Sequence, residues 1–226
     1  MEEAIIISLG GSLIIPEDLD LNFLRDFKDL IISHVEKGKK FVIITGGGKI
    51  CRKYQNVAKE LSSPSSEELD WIGIASLKLN AELLRVIFGE YAHDRVISNL
   101  ANHFVFERPI IIGSAFNPGQ STDHGAVLGA KSLGAKKIIN LSNTDYVYDS
   151  DPKINPDAKK FEQISWDDYM SLIPKEWNPG LSSPFDPIAS KLAKEEGMTV
   201  FIVNGKPIDN LVKCLNGEKF LGTIIS

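Results

Sequence analysis

Short apolar runs alternate with longer amphipathic stretches along most of the chain. The runs are rich in Ile, Val and Leu, as in strands that are buried on both faces, and the stretches between them carry apolar residues at helical spacing. Strands that alternate with helices form a mostly parallel sheet with helices on both faces. The pattern therefore predicts an α/β fold, a three-layer α/β/α sandwich around a mostly parallel open sheet, as a single domain over residues 1–226.

The predicted strands, in chain order, are Ala4–Leu9, Phe41–Thr45, Val96–Ser98, Pro109–Ile112, Lys137–Leu141, Thr199–Val203 and Gly222–Ile225. The first predicted helix follows the cap Asp20, and the next three are Ile50–Leu61, Glu67–Phe88 and Asp123–Leu133. Three more predicted helices start at Ser165, Asp186-Pro187 and Asp209. Asp, Ser and N-terminal Pro are the residue types that favour helix starts. We expect a long polar loop over Ser142–Pro156 and another loop around Pro179-Gly180.

Three predicted strands run into loops of glycine and small polar residues. These loops are Gly10-Gly11-Ser12, Gly46-Gly47-Gly48-Lys49 and residues 113–122. Glycine lacks a Cβ, so its backbone N–H groups can approach phosphate oxygens closely, most effectively where a helix begins next. Because the carboxyl ends of parallel strands meet at one edge of a sheet, we expect the loops to share one crevice. The sequence thus predicts a site for several phosphate groups, which suits phosphoryl transfer.

Composition narrows the class of partner. The 226-residue chain has a net charge of −5, whereas nucleic-acid binders usually carry a basic excess, so we expect a small-molecule partner and no nucleic acid. Acidic Glu2 and Glu3 precede only a short apolar run, which favours an untargeted chain with no membrane partner. Cys51 and Cys214 are too few for a disulfide framework, which indicates a cytoplasmic protein with two inert thiols.

Familiar nucleotide and metal motifs do not fit the chain. Residues 46–49 lack the Ser or Thr and the spacing of a P-loop, and no Gly-x-Gly-x-x-Gly opens a helix. The four histidines show no zinc spacing. We therefore assign no metal site to the protein itself.

Four motifs together resemble the amino acid kinase superfamily, and within it the uridylate kinases of archaeal type. The motifs are residues 7–13, residues 45–54, Asn117–Thr122 and residues 142–152, and the resemblance extends to the last strand. It implies transfer of the γ-phosphoryl group of ATP to UMP, with Mg²⁺ carried by ATP. It also implies a homo-oligomer, a hexamer built as a trimer of dimers. The lobe of residues 1–135 would hold the acceptor, and the lobe of residues 136–226 would hold ATP.

The resemblance assigns residues to the ATP side. They are Gly10, Gly11, Ser12, Gly48, Arg52, Ser142, Asn143, Tyr148 and Asp151. Arg52 would neutralise charge on the moving phosphoryl group, although a solvated helix cation is the alternative. Asp145 would be an organising acid that orients a nearby cation, and Asp186 is a second candidate that could equally be only a helix cap.

The resemblance assigns a second set to UMP. The set is Gly47, Asp70, Phe116, Asn117, Pro118, Gly119, Gln120, Ser121 and Thr122. Asp70 would hold the ribose hydroxyls, and the hydroxyls of Ser121 and Thr122 would read the uracil edge. The alternative for Asp70 is an acid in the first turn of a helix, favoured by the helix dipole.

Two positions depart from the family pattern. Many relatives carry a lysine two residues before the first glycine pair, where this chain has Ser8, and Lys49, Lys53 and Lys191 are candidates to replace it. Tyr146 stands where relatives usually have glycine, so we expect its side chain at the mouth of the ATP loop.

Two other functions stay open at this point. The same fold serves other phosphoryl acceptors, among them carbamate, acetylglutamate, aspartate and isopentenyl phosphate, and fold alone does not decide the substrate. The second alternative is a catalytically weak member that binds nucleotide or oxyanion for storage or regulation. Turnover separates these alternatives, because a binding protein would be stabilised by ATP without forming ADP.

Overall fold

The computed structural model describes residues 4–102, 104–115, 117–119, 121–175 and 183–226. The strands in these ranges are β1 (Ile5–Leu9), β2 (Phe41–Thr45), β3 (Ile110–Gly113), β4 (Lys137–Ser142), β5 (Val147–Tyr148), β6 (Lys160–Phe161), β7 (Gln163–Ile164), β8 (Thr199–Asn204) and β9 (Gly222–Ile225). The helices are α1 (Gly11–Ile14), α2 (Leu21–Val35), α3 (Gly48–Leu61), α4 (Ser66–Phe88), α5 (Thr122–Leu133), α6 (Trp166–Leu172), α7 (Pro187–Glu195) and α8 (Asp209–Leu215), with a 3-10 turn at Gly89–Tyr91 after α4.

The main sheet has the order β3-β2-β1-β4-β8-β9-β7, and β5 and β6 form a separate antiparallel pair. Neighbouring strands of the main sheet are parallel except β8 and β9. The chain moves outward from β1 through β2 to β3 and then returns to place β4 on the other side of β1. Ligands of open α/β sheets bind outside the carboxyl ends of strands at such a reversal of strand order.

Apolar side chains on both faces of the strands explain the layered architecture. On one face, Ile6 and Val42 join a core with residues of α5, α6 and α7. On the other face, Ile7 and Ile43 join a core with residues of α2, α4 and α8. The predicted α/β/α arrangement around a mostly parallel sheet is confirmed.

Side-chain caps fix several helix starts. Asp20 accepts a hydrogen bond from the backbone N–H of Phe23 at 3.0 Å, and Ser165 accepts one from Asp168 at 3.1 Å. Ser65 and Glu68 form a reciprocal capping box at the start of α4. Neither this 23-residue helix nor any other helix in the described ranges is long and apolar enough to cross a bilayer.

Some predicted elements differ from the structure. The strand prediction at Val96–Ser98 is wrong, because the only strand pairing there is an isolated bridge between Ile97 and Gly113. Residues 93–95 form a local turn in which His93 Nδ1 lies 3.1 Å from the Arg95 carbonyl, which stops the pairing from extending. The predicted polar loop Ser142–Pro156 contains β5, and the first glycine loop continues as α1. The predicted loop around Pro179-Gly180 lies outside the described residues.

Candidate active site

The first two glycine loops touch through their backbones. A Cβ on Gly11 would lie 2.0 Å from the backbone nitrogen of Gly48 and 2.6 Å from the carbonyl carbon of Gly46. Gly48 has a φ of +70°, a conformation that side chains disfavour. Glycine at these positions therefore lets the end of β1 meet the start of α3 at one edge of the sheet.

A cleft of about 260 Å³ lies at this edge. The second glycine loop and α3 line one side, α4 lines a second side, and Asn117 with the starts of α5 and α7 lines the third. The second glycine loop and the loop before α5 meet in this cleft, as the sequence predicts, whereas Gly10, Gly11 and Ser12 of the first loop are not among its described lining residues. Phe116 and Gln120, which the resemblance assigns to UMP, lie outside the described residues.

Asp70 lies in the wall formed by α4. The helix begins at Ser66, and its first turn carries Glu67 and Glu68 as its acids, so the alternative of a first-turn acid at position 70 is wrong. The Asp70 carboxylate accepts a hydrogen bond from the backbone N–H of Gly119 at 2.8 Å, and burial raises its pKa. A carboxylate held this way keeps acceptor capacity for a ligand.

The starts of α5 and α7 are interlocked. Ser121 caps α5 by accepting from the His124 N–H at 3.0 Å, and its hydroxyl donates to the Asp186 carboxylate. Asp186 caps α7 by accepting from the N–H groups of Ile188 and Ala189 at 2.8 Å. Asp186 is therefore both a helix cap and a cleft carboxylate. The Ser121 hydroxyl proton is occupied by this bond and is not available to read a uracil edge, although Ser121 and Thr122 both line the cleft.

Asp123 is a cleft residue that sequence reasoning missed. Its Oδ1 accepts hydrogen bonds from Ser8 Oγ and Asn140 Nδ2, both at 2.8 Å, and its Oδ2 accepts from the Asp186 N–H at 3.3 Å. Burial raises the pKa of this carboxyl to about 7, and the Asp186 carboxylate adds to the rise. The adjacent Ser121 and Thr122 pointed to this loop, but the partners from distant strands appear only in the folded chain.

Arg52 supplies positive charge to the cleft among its described lining residues. It lies one turn into α3 on an exposed face. The two nearby lysines point elsewhere: Lys49 forms an ion pair with Glu17, and the Lys53 ammonium donates to the Glu17 carbonyl at 3.4 Å. Both lysines are therefore engaged with Glu17.

Among the residues assigned to ATP, Gly48 and Arg52 line the cleft, whereas the others flank it. Gly10 packs on the end of β4, where its backbone N–H donates to the Leu141 carbonyl at 2.7 Å, beside Ser142. Asp151 caps a turn by accepting from the Lys153 N–H at 2.9 Å. Ser12, Asn143 and Tyr148 are likewise absent from the cleft wall as the described residues define it.

Asp145 does not reach the cleft either. It is exposed beyond β4, and its carboxylate accepts a hydrogen bond from Asn204 Nδ2 at 2.6 Å. The acids among the described lining residues of the cleft are Asp70, Asp123 and Asp186.

Tyr146 does not stand at the mouth of the ATP loop. Its side chain is buried beneath the β5–β6 pair, where the Lys160 ammonium lies 4.4 Å from the ring centre and Tyr148 packs edge-on. The expectation is wrong because the ring gains cation–π and aromatic contacts by packing inward.

The two thiols agree with the expectation of inert cysteines. Burial raises the pKa of Cys51 and raises that of Cys214 to about 12, so both are poor nucleophiles. Within the described ranges, no group of three or more His, Cys, Asp or Glu side chains is arranged to hold a metal ion.

Comparisons with known proteins agree with this geometry. A model of the amino acid kinase family matches residues 3–204, and the chain belongs to that family. It is 33% identical to the uridylate kinase of Thermococcus kodakarensis over 224 residues, covering 98% of each chain. It is 31% identical to the uridylate kinase of Methanobrevibacter smithii over 225 residues, covering 98% and 99% of the two chains.

A solved structure extends the likeness to three dimensions. The crystal structure of uridylate kinase from Archaeoglobus fulgidus matches with a TM-score of 0.83 at 30% identity, covering 99% of this chain and all of that one. The resemblance proposed from the four motifs is confirmed at the level of family and fold.

Proposed function

We propose that the protein is a uridylate kinase of pyrimidine nucleotide biosynthesis, which converts ATP and UMP into ADP and UDP. The observation that carries the proposal is the cleft itself, whose described lining combines Gly47 and Gly48 at the start of α3 with Arg52, Asp70 and Asn117. Similarity to uridylate kinases along nearly the whole chain supports the choice of UMP as the acceptor.

The reaction needs little covalent chemistry from the protein. An oxygen of the UMP phosphate attacks the γ-phosphorus of ATP, and the bond from that phosphorus to the bridging oxygen of ADP breaks. The attacking phosphate oxygen is already anionic, so no general base is required. Catalysis then rests on positioning and charge stabilisation, which the N–H groups of Gly47 and Gly48 and the Arg52 guanidinium supply.

We assign the UMP site to the lobe of residues 1–135. The Gly47 N–H binds the UMP phosphate, Asp70 accepts hydrogen bonds from the ribose hydroxyls, and Asn117 and Thr122 lie toward the base. Pro118 and Gly119 shape the loop, since Gly119 has a φ of +77°. The support is the Asp70–Gly119 hydrogen bond, which ties this loop to α4.

We assign ATP to the lobe of residues 136–226 together with the first glycine loop. Gly10, Gly11 and Ser12 bind the phosphates, and the segment after β4, with Ser142, enters on the adenosine side. Mg²⁺ arrives as part of the Mg-ATP substrate. The contact between Gly10 and the end of β4 supports this arrangement, because it brings both elements to one point.

We further propose a cytoplasmic homo-oligomer, a hexamer built as a trimer of dimers. An apolar surface on neighbouring helices supports an interface between copies: Tyr54 and Leu61 on α3 are 64% and 82% exposed, and Trp71 and Leu79 on α4 are also exposed. Isolated exposed apolar residues are ordinary, but a contiguous group marks an interaction site. Light scattering on the purified protein tests the mass, and a monomer would contradict the proposal.

The function is tested by offering acceptors separately with Mg-ATP: UMP, CMP, GMP, AMP, carbamate and isopentenyl phosphate. We expect ADP to form rapidly with UMP and much more slowly with the others. Rapid turnover with a different acceptor would overturn the substrate assignment. ATP binding without ADP formation from any acceptor would overturn the enzymatic one.

A further inference from the structure

Ser8 lies on β1, in the middle of the main sheet. It is 2% exposed, and its hydroxyl donates to Asp123 Oδ1 at 2.8 Å. Asn140 on the adjacent β4 is also buried and donates to the same oxygen at 2.8 Å. Two neutral donors from neighbouring strands thus meet at one carboxylate oxygen.

The hydrogen-bond pattern around Asp123 fits an ionised carboxylate. The amide nitrogen of Asn140 and the backbone N–H of Asp186 can only donate, and they reach different oxygens of the Asp123 carboxyl. A protonated carboxyl could keep these contacts only by turning its O–H toward the Ser8 hydroxyl, which would then accept instead of donate. The arrangement in which Ser8, Asn140 and the Asp186 N–H all donate is that of the carboxylate.

Two features oppose that charge. Burial and the neighbouring Asp186 carboxylate raise the pKa of Asp123 to about 7, whereas the bonds from Ser8 and Asn140 act in the opposite direction. The two neutral donors, together with the Asp186 N–H, therefore favour the ionised form against burial and the neighbouring charge. A hydrogen bond to the charged form of a carboxyl favours that form.

The other groups around Asp123 complete its electrostatic surroundings. The titratable groups that act on Asp123 from neighbouring helices are Asp186 at the start of α7 and Tyr169 on α6. Ser8 and Asn140 approach it from the sheet. The residues of β2 are apolar except for Thr45. On α5 itself His124 is the next residue, and burial lowers its pKa. Across the cleft, Arg52 is the cation among the described lining residues.

We propose that Ser8 and Asn140 are positioning residues that hold Asp123 as a carboxylate through two neutral hydrogen bonds, and that turnover requires this charged form. The inference rests on the proposed kinase function. Ionised Asp123 accepts the Asp186 N–H and so keeps the start of α7 against the start of α5. Protonation would weaken that contact and, with it, the wall of the cleft that carries Ser121 and Thr122.

The test is the pH profile of kcat/KM for UMP, measured between about pH 5.5 and 9, in the parent and in Ser8→Ala and Asn140→Leu. Loss of either donor should move the acid limb upward by about one pH unit. Ser8→Thr keeps the hydroxyl and should restore the parent's limb. Ser132→Ala is the matched control, because its hydroxyl donates to the Gly129 carbonyl on the far part of the same helix.

A variant that adds a positive charge should shift the acid limb in the opposite direction. Ser8→Lys would place an ammonium group beside Asp123, favour the ionised form and move the acid limb to lower pH. The phosphate of UMP titrates identically in every variant, so the substrate cannot produce these shifts. Superimposable acid limbs in the parent, Ser8→Ala and Asn140→Leu would overturn the proposal.

A second measurement needs no turnover. The pH dependence of Tm reports the ionisation of Asp123 in the folded protein, and the same upward shift is expected in Ser8→Ala and the downward shift in Ser8→Lys. If these shifts in Tm occur but the parent does not phosphorylate UMP, the kinase function is overturned, and with it the claim that turnover requires ionised Asp123. The control of Asp123 ionisation by Ser8 would then still stand. Turnover by the parent with no shift in either measurement would overturn the positioning role alone.

Discussion

The carboxylate of Asp70 on α4 accepts a hydrogen bond from the backbone N–H of Gly119, 2.8 Å away and 49 positions along the chain. The bond fixes the distance between α4 and the loop before α5. Both elements line the cleft, so the span available to an acceptor is set by this contact. A carboxylate with one oxygen held by the protein and the other available suits a ribose with two hydroxyl groups.

Asp70→Asn should weaken UMP binding by about tenfold and leave ATP binding nearly unchanged. The amide oxygen can still accept the Gly119 N–H, so the loop keeps its place, whereas the charge that strengthens the ribose contacts is lost. Calorimetric titration of each nucleotide measures the two affinities. Glu67→Gln, in the first turn of the same helix, is the control. Equal losses for UMP and ATP would remove Asp70 from the acceptor site.

Arg52→Ala should lower kcat at least tenfold, which corresponds to about 1.4 kcal/mol of transition-state stabilisation. The guanidinium is the permanent cation among the described residues of the cleft wall. Lys53→Ala is a matched control, because the neighbouring lysine donates to the Glu17 carbonyl. Steady-state kinetics of both variants decides the question. An unchanged kcat in Arg52→Ala would make this residue a surface cation.

Much of this arrangement follows from local sequence. The glycine loops, the caps Asp20 and Ser165, and the order of strands and helices were predictable because each depends on a few adjacent residues. Asp186 before Pro187 was predictable as a cap for the same reason. The second role of Asp186, as a carboxylate of the cleft, was not predictable, because its partner Ser121 lies 65 positions away.

The parts that sequence reasoning missed depend on long-range packing. Asp123 bonds Ser8 across 115 positions, and no periodic pattern links a strand serine to an acid at the start of a helix. Tyr146 was expected at a loop mouth, but the partner that draws it inward is Lys160 on a two-residue strand. Strands of that length show no alternation long enough to predict them.

Stability should fall as pH rises from about 4 to 7, because Asp123 holds its proton more tightly in the folded chain. Its pKa is raised from 3.8 to about 7, so the folded state binds more protons than the unfolded state in that interval. The stabilising contribution is complete below the lower value and is lost as pH passes the upper one. Asp123→Asn has no such group, so the difference in Tm between the two proteins should change across this interval.

Thermal melts at several pH values measure that difference. The parent should lose stability relative to Asp123→Asn between about pH 4 and 7, by roughly 2–4 °C of Tm for each kcal/mol. Asp94→Asn serves as the control, because that acid pairs with Arg108 on the exposed surface. Parallel Tm curves for the parent and Asp123→Asn would contradict the assignment of a raised pKa.

Gly11→Ala should destabilise the protein by roughly 1–3 kcal/mol and abolish tight ATP binding. The new methyl group would lie 2.0 Å from the Gly48 nitrogen, so the two glycine loops would have to separate. Gly125→Ala should instead stabilise the protein. Gly125 lies inside α5, and a Cβ added there would lie 3.7 Å from Ile44 Cγ2, an ordinary contact distance. Ala is favoured over Gly in a helix by up to about 1 kcal/mol. Equal Tm changes in the two variants would contradict this account of the loops.

The most direct test of the account is transfer of labelled phosphate from γ-labelled ATP to UMP by the purified protein with Mg²⁺. The account predicts that the label appears in UDP, in amounts equal to the ADP formed, and that the rate falls at least tenfold in Arg52→Ala but not in Lys53→Ala. Label released only as inorganic phosphate, or retained in ATP while UMP is bound, would contradict the assignment of this cleft to phosphoryl transfer between the two nucleotides.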